Sequence, residues 1–159
     1  MRSKDETRQK AVVLMKRLEQ AGKRRTAQRS AICQAMVEYE GHPTVAELYE
    51  NVRERFPMIS QATVYNTVDT LRELGLITRL DIAHHDHTHY DLNPATHVNV
   101  ACRYCGAIAD VHTPSVAHLI TEVGTACGYD IQPEAGLIMY GICPKCRASG
   151  RHSRGGVES

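Results

Sequence analysis

The sequence predicts an α+β fold: an N-terminal winged helix followed by a small C-terminal αβ module that carries a four-cysteine zinc site. Three observations predict it. Helical apolar spacing fills the chain before residue 76, and a polar, turn-rich stretch follows. Five of the six cysteines then come after residue 100, four of them as two Cys-x-x-Cys pairs. The implied organisation is a winged-helix domain over 1–83, a hinge over 84–97, an αβ and zinc domain over 98–147, and a disordered tail over 148–159, where the sequence loses apolar periodicity.

Each element follows from local chemistry. Ala11, Leu14 and Leu18 recur at helical spacing, and Gly22 closes that helix. Thr26 can cap a second helix bearing Ile32, Ala35 and Met36 on one side. Thr44 and Glu47 fit a capping box ahead of a third helix with Val45, Leu48, Tyr49 and Val52. Ser60 can cap a fourth helix with Val64, Val68, Leu71 and Leu74, and Gly75 suits its stop. Leu76–Ile82 alternates and can pair with His89–Asn93 as a two-stranded wing. The stretch DIAHHDHTHYDLNPAT between the two modules reads as a loop or hinge. Beyond it, VNVA before Cys102 and Ala107–Val111 are strand-like, Val116–Cys127 is helical, and Gly136–Ile142 is strand-like again. Cys33 and Cys127 fall on helices and read as small core hydrophobes.

Composition narrows the function classes. The chain has 159 residues, no Trp and one Phe, and 42% apolar against 23% charged residues, which describes a globular chain without large aromatic clusters. Its longest apolar run, Ala11–Met15, cannot span a bilayer, and MRSKDETRQK has no apolar h-region, so no membrane partner and a cytoplasmic location are expected. In that compartment the cysteines are expected to be reduced or metal-bound. The net charge of +1 conceals a basic stripe. Residues 2–29 hold ten Lys and Arg against three Asp and Glu. Such a stripe is the electrostatic footprint of polyanion binding, although a solvated helix face gives the same pattern.

Thr44–Leu74 is helix, short turn, helix, as a helix-turn-helix requires, and three or four helices followed by a hairpin make a winged helix. On this reading the fourth helix enters the major groove of double-stranded DNA. Ser60, Gln61, Thr63, Tyr65 and Asn66 offer hydrogen-bonding side chains at its N-terminal end, and Arg24, Arg25 and Arg29 of the basic stripe join them as candidate DNA-binding residues.

Cys102-x-x-Cys105 and Cys143-x-x-Cys146 can place four thiolates around one tetrahedral Zn²⁺, and four protein ligands make such a site structural. Thioredoxin-like chemistry needs one Cys-x-x-Cys at a helix N-terminus after a strand, so two pairs argue against it. Six of the nine histidines lie between His84 and His112. The His84–His89 run reads equally as a solvated loop or a weak metal site. A second group is His42, Asp91, His97 and Asp110, with Asn99 nearby. Mixed imidazole and carboxylate donors suit Fe²⁺, Mn²⁺ or Zn²⁺, but these residues can meet only if the two modules fold toward each other.

Enzyme readings lack their residues. No His has a Glu two positions on, as zinc deaminases require, and there is no HExxH helix or Gly-rich phosphate loop. A zinc or nickel storage protein could use the His-rich loop but would not need a helix-turn-helix.

Several stretches resemble the ferric uptake regulator family: GKRRTAQRSAI, GHPTVAELY, ISQATVYNTVDTLRELGLI, HYDLN, CRYCG and CPKC, in that family's order over roughly residues 10–147. The resemblance implies a homodimeric, metal-dependent repressor in which the C-terminal half forms the dimer. It implies that Tyr65 contacts DNA and that Cys102, Cys105, Cys143 and Cys146 hold structural zinc. It carries the regulatory ligands to His42, Asp91, His97 and Asp110. In the peroxide-sensing branch the two carboxylates are typically Asp, whereas iron-uptake members tend to have Glu, so this chain resembles a peroxide-stress regulator using Fe²⁺ or Mn²⁺, with an iron- or zinc-uptake repressor as the alternative. One departure stands out. The family's second histidine, three residues before the first knuckle cysteine, is Asn99 here, whose amide oxygen is a weaker and harder donor. A further site of many iron-uptake members is also degraded, its positions being Thr96, Val98, Ala117 and Ala135.

Overall fold

The computed structural model describes residues 4–83, 85–93, 95–131 and 137–150. The chain divides into two compact units, Met1–Asp81 with His87–Pro94, and Ile82–Asp86 with Ala95–Ser159.

The first unit packs helices α1 (Lys4–Gln20), α2 (Ala27–Glu38), α3 (Val45–Arg53) and α4 (Gln61–Glu73) against a hairpin of β1 (Thr78–Leu80) and β2 (His89–Asp91). The caps act as their residue types dictate. The Thr26 and Ser60 hydroxyls accept the N–H groups of Arg29 and Thr63, and Thr44 and Glu47 form a complete capping box. Gly75 ends α4 at φ 66°, donating to the Arg72 carbonyl while Leu76 donates to that of Leu71, which is a Schellman stop. α1 starts earlier than its apolar spacing indicates, because Asp5, Glu6, Arg8, Gln9 and Lys10 in its first turns are polar and exposed and carry no apolar signal. The core gathers Leu14, Leu18, Ile32, Leu48, Val52, Val64, Val68 and Leu71 with Tyr90 of the hairpin. Cys33 lies within it as expected, and burial pushes its thiol up to about 12. The wing is shorter than the alternating sequence suggests, with three residues in each strand.

The second unit is a three-stranded sheet in the order β4-β3-β5, built from β3 (Val98–Cys102), β4 (Ile108–Val111) and β5 (Leu137–Gly141). β3 pairs antiparallel with β4 and parallel with β5. Helix α5 (Ser115–Cys127) lies between β4 and β5 in the chain and packs Val116 and Ile120 on Val98. A short α6 (Pro144–Ala148) follows β5. Cys127 corrects the sequence reading. It is exposed rather than core: among the described residues the last buried apolar side chain of α5 is Ile120, and Cys127 stands in the turn at the far end of the helix. Gly136, Ala135, His84 and most of the expected tail, 151–159, lie outside the described residues. Among the described residues no helix is long and apolar enough to cross a membrane.

Candidate metal centres and nucleic-acid face

In the second unit the two Cys-x-x-Cys pairs converge. Cys102 ends β3 and Cys105 closes the turn toward β4, while Cys143 caps α6 and Cys146 sits inside it. One sulfur from each lies within 4.8 Å of the other three, and Cys105 Sγ is 3.6 Å from Cys143 Sγ. The second pair does stand at a helix N-terminus after a strand. However, the helix has five residues, and the first pair faces it as a second set of ligands rather than leaving one redox couple. The N–H of Cys143 donates to Cys102 Sγ at 3.3 Å, and that of Cys146 to Cys143 Sγ at 3.4 Å. The Cys143 N–H holds the Cys102 thiol below its ordinary range against the opposing effect of burial, aided by the N–H groups of Tyr104 and Cys105. Burial, and then hydrogen bonding to its three neighbours, pushes the Cys146 thiol up. Four crowded thiols cannot all ionise without a compensating cation, and a four-cysteine cluster of this size fits a structural Zn²⁺. Gly106 adopts φ 75° beside the first knuckle, and a Cβ there would come within 2.7 Å of the His85 ring.

The imidazole–carboxylate candidates form one pair in each unit. In the first unit β2 is held on both sides. It pairs with β1, and across from it the Tyr90 N–H donates to the Pro43 carbonyl at 2.9 Å and Thr44 bridges to His89. This docking brings the buried Asp91 to face the buried His42, with Nε2 4.0 Å from Oδ1. The Asn93 N–H donates to the same Asp91 oxygen at 2.7 Å and orients it. In the second unit His97 Nε2 lies 3.9 Å from Asp110 Oδ1. His97 Nδ1 lies 2.7 Å from the Ala95 carbonyl, and donating to it leaves the Nε2 lone pair on the side of Asp110, the arrangement in which a second partner fixes a ligand's tautomer. Asn99 is directly across the ladder from Asp110. Its side chain is 1% exposed, and its Oδ1 has no hydrogen-bond partner among the described residues. Such an acceptor calls for a cation or a water.

On the first unit α4 presents Gln61, Tyr65 and Asn66 to solvent, with Tyr65 51% exposed. Ser60 and Thr63 bond each other at the helix start, their hydroxyl oxygens 2.9 Å apart. Among the arginines, Arg29 donates to the Arg24 carbonyl at 2.7 Å, and Arg25 lies 3.7 Å from Glu19. Two further residues stand at these sites without a motif to mark them: Met58, exposed to solvent in the turn before α4, and His112, which neighbours His97. Strand alternation was the available signal for His112, two residues after Asp110.

A sequence model of the Ferric uptake regulator family matches residues 20–138. The peroxide operon regulator of Bacillus subtilis is 31% identical over 135 residues, which cover 85% of this chain and 92% of that one. The peroxide-responsive repressor PerR of Staphylococcus epidermidis is 30% identical over 133 residues, 84% of this chain and 87% of its own. Among solved structures, the Helicobacter pylori ferric uptake regulator Fur shares the fold, with a TM-score of 0.73 at 18% identity over 86% of this chain and 93% of its own.

Proposed function

The chain belongs to the ferric uptake regulator family, and from that premise we propose that it is a cytoplasmic, homodimeric repressor that responds to peroxide through an exchangeable Fe²⁺ or Mn²⁺ between its two units. Members of this family are metal-dependent transcriptional regulators rather than enzymes, and they bind DNA as dimers. One observation carries the finer reading: each unit holds a buried imidazole facing a carboxylate, His42 with Asp91 and His97 with Asp110. Each pair is half of a mixed nitrogen–oxygen donor set of the kind Fe²⁺ and Mn²⁺ accept. The peroxide-responsive relatives and the two aspartates support the choice of signal.

In this mechanism Cys102, Cys105, Cys143 and Cys146 keep the second unit folded around zinc. The apolar side chains it leaves exposed, including Leu119, Val123 and Met139, support its role as the dimer surface. His42 and Asp91 of the first unit and His97 and Asp110 of the second, with the Asn99 oxygen, would hold the exchangeable ion. An ion that needs both sets of ligands stabilises one relative placement of the units, and so one separation of the two α4 helices in the dimer. Tyr65, Gln61 and Asn66, with Ser60 and Thr63 at the helix start, then meet the groove of an operator, and Arg24, Arg25 and Arg29 its phosphates. When bound, Fe²⁺ would supply the chemistry that activates hydrogen peroxide, whose oxygen atom the imidazole of His42 or His97 would receive. Overall a ring C–H becomes a ring C–O and one water is released. An oxidised His42 or His97 is a poorer donor, so the two units lose their common ligand and the DNA is released.

The test is mass spectrometry of the iron-loaded protein after peroxide, alongside DNA binding in Fe²⁺, Mn²⁺ and Zn²⁺. One added oxygen on His42 or His97, together with loss of DNA binding, is the expected result. Unmodified histidines would remove the peroxide reading, and activation by tight zinc binding at the second site would favour an uptake repressor.

A further inference from the structure

Antiparallel register places four donor side chains on one face of the second unit. Val98 lies opposite Val111 and Asn99 opposite Asp110 in the β3–β4 ladder. Val98 packs under α5 with Val116 and Ile120. Side chains alternate across a strand, so Asn99 and Asp110 turn to the other face, as do the residues flanking the valines, His97 and His112. One step beyond the paired residues, His97 stands opposite His112. The contacts agree with this placement. The His97 and His112 ring centroids are 5.2 Å apart with the planes tilted by 36°, and His97 Nε2 is 3.9 Å from Asp110 Oδ1 on the diagonal. Asn99 Oδ1 is buried among them without a hydrogen-bond partner in the described residues.

We infer that His112 is a further ligand of the exchangeable ion, giving the second unit a donor face of two imidazoles, His97 and His112, and two oxygens, Asp110 and Asn99. The inference rests on the proposed regulatory site and adds to it a residue which that site did not include. The spacing fits. Two imidazoles bound side by side on one ion, with metal–nitrogen distances of about 2.1 Å, hold their ring centroids about 4.5–5.2 Å apart. β4 is an edge strand and His112 is exposed, so its ring has room to turn toward a shared ion. His112 restores a nitrogen to a ladder that Asn99 leaves with an oxygen, and the Asn99 oxygen gains the cation partner its burial calls for. The resulting two-nitrogen, two-oxygen face is harder than an all-imidazole one and suits Mn²⁺ or Fe²⁺.

The test uses the full-length protein with its cysteine-held zinc in place and Mn²⁺ as the probe, followed by electron paramagnetic resonance. His112→Ala is expected to raise the Mn²⁺ dissociation constant roughly 10–100-fold. It should also remove one coupled imidazole nitrogen from the pulsed spectrum, leaving zinc content and thermal unfolding unchanged. Asn99→His in the His112→Ala background is expected to recover affinity, because it returns an imidazole to the same face. Unchanged affinity and nitrogen count in His112→Ala would overturn the inference. His42→Ala separates it from the inter-unit reading. If His42→Ala weakens Mn²⁺ and His112→Ala does not, only the inference on His112 falls. If His112→Ala weakens Mn²⁺ and His42→Ala does not, His112 stands and the bridging site falls.

Discussion

The first unit buries Leu18, Ile32, Leu48, Val64, Val68 and Leu71 completely, whereas the described apolar core of the second is Val98, Val116 and Ile120. The second unit instead exposes Leu119, Val123, Met139 and Tyr129, the last 76% exposed, and gathers four cysteine sulfurs within 4.8 Å of one another. Hydrophobic burial scales with the area removed from water, so the first unit can hold itself together by packing alone. A core this small, with Val100, Ile131 and Leu137 only partly buried against it, offsets less of the chain entropy of its strands and helix, so on the proposed function the second unit leans on its zinc and on a covered surface. Packing therefore dominates the stability of the first unit, and metal ligation that of the second.

The largest expected effect comes from the zinc. Cys143→Ser, or chelation of the cysteine-held ion, should unfold the second unit and dissociate the dimer while the helices of the first persist. Structural zinc in small domains contributes on the order of 10–16 kcal/mol of apparent folding energy, far more than one apolar contact. Hydrogen exchange resolved by segment measures this, and a second unit that stays protected without zinc would show that its own packing suffices to hold it.

Leu48→Ala is the counterpart in the first unit. Leu48 is fully buried in the helical core, and its truncation should cost about 2–5 kcal/mol by chemical denaturation, with zinc content unchanged. A loss well under about 1 kcal/mol would mean that the helical core is less tightly packed than its burial indicates.

Tyr65→Phe probes function rather than stability. The hydroxyl is exposed on α4 and leaves the core untouched, so thermal unfolding should not change, while specific DNA binding should weaken by about 1–3 kcal/mol if the hydroxyl meets a base or phosphate. An unchanged binding isotherm would dismiss that contact.

The smallest effect is a titration. Burial alone would raise the Glu47 carboxyl, but hydrogen bonds from the Tyr39 hydroxyl and from the Thr44 N–H and hydroxyl outweigh it and leave the carboxyl below its ordinary range. A depressed carboxylate stabilises the fold above its unfolded value of about 4.3, and that stabilisation fades as pH falls through the lower folded value. The stability gap between the wild type and Glu47→Gln should therefore be constant near neutrality and close below about pH 4. A gap that widens with acid would show that the capping box is not the relevant partner.

Local chemistry was legible in the sequence. Thr26, the Thr44–Glu47 box, Ser60 and Gly75 each mark the helix boundary that the structure has, since a cap is decided within four residues. The two cysteine pairs were equally plain, because thiolates at that spacing have few other uses. Register was not legible. That Asn99 faces Asp110, and that His112 follows His97 onto the same face, depends on a pairing between strands that no single segment encodes. The exposure of Cys127 has the same origin: its helical spacing is apolar, but what lies beneath it depends on tertiary packing that the helix alone does not encode.

In the proposed function an exchangeable ion, held apart from the cysteine zinc, fixes the placement of the DNA-reading helices. The most direct measurement strips that ion from the zinc-loaded dimer and follows small-angle scattering together with binding to duplexes selected by the Mn²⁺-loaded protein at one fixed salt concentration. A more open particle and roughly a tenfold or greater loss of affinity are expected, both restored by Mn²⁺. Identical scattering and affinity with and without the ion would contradict it.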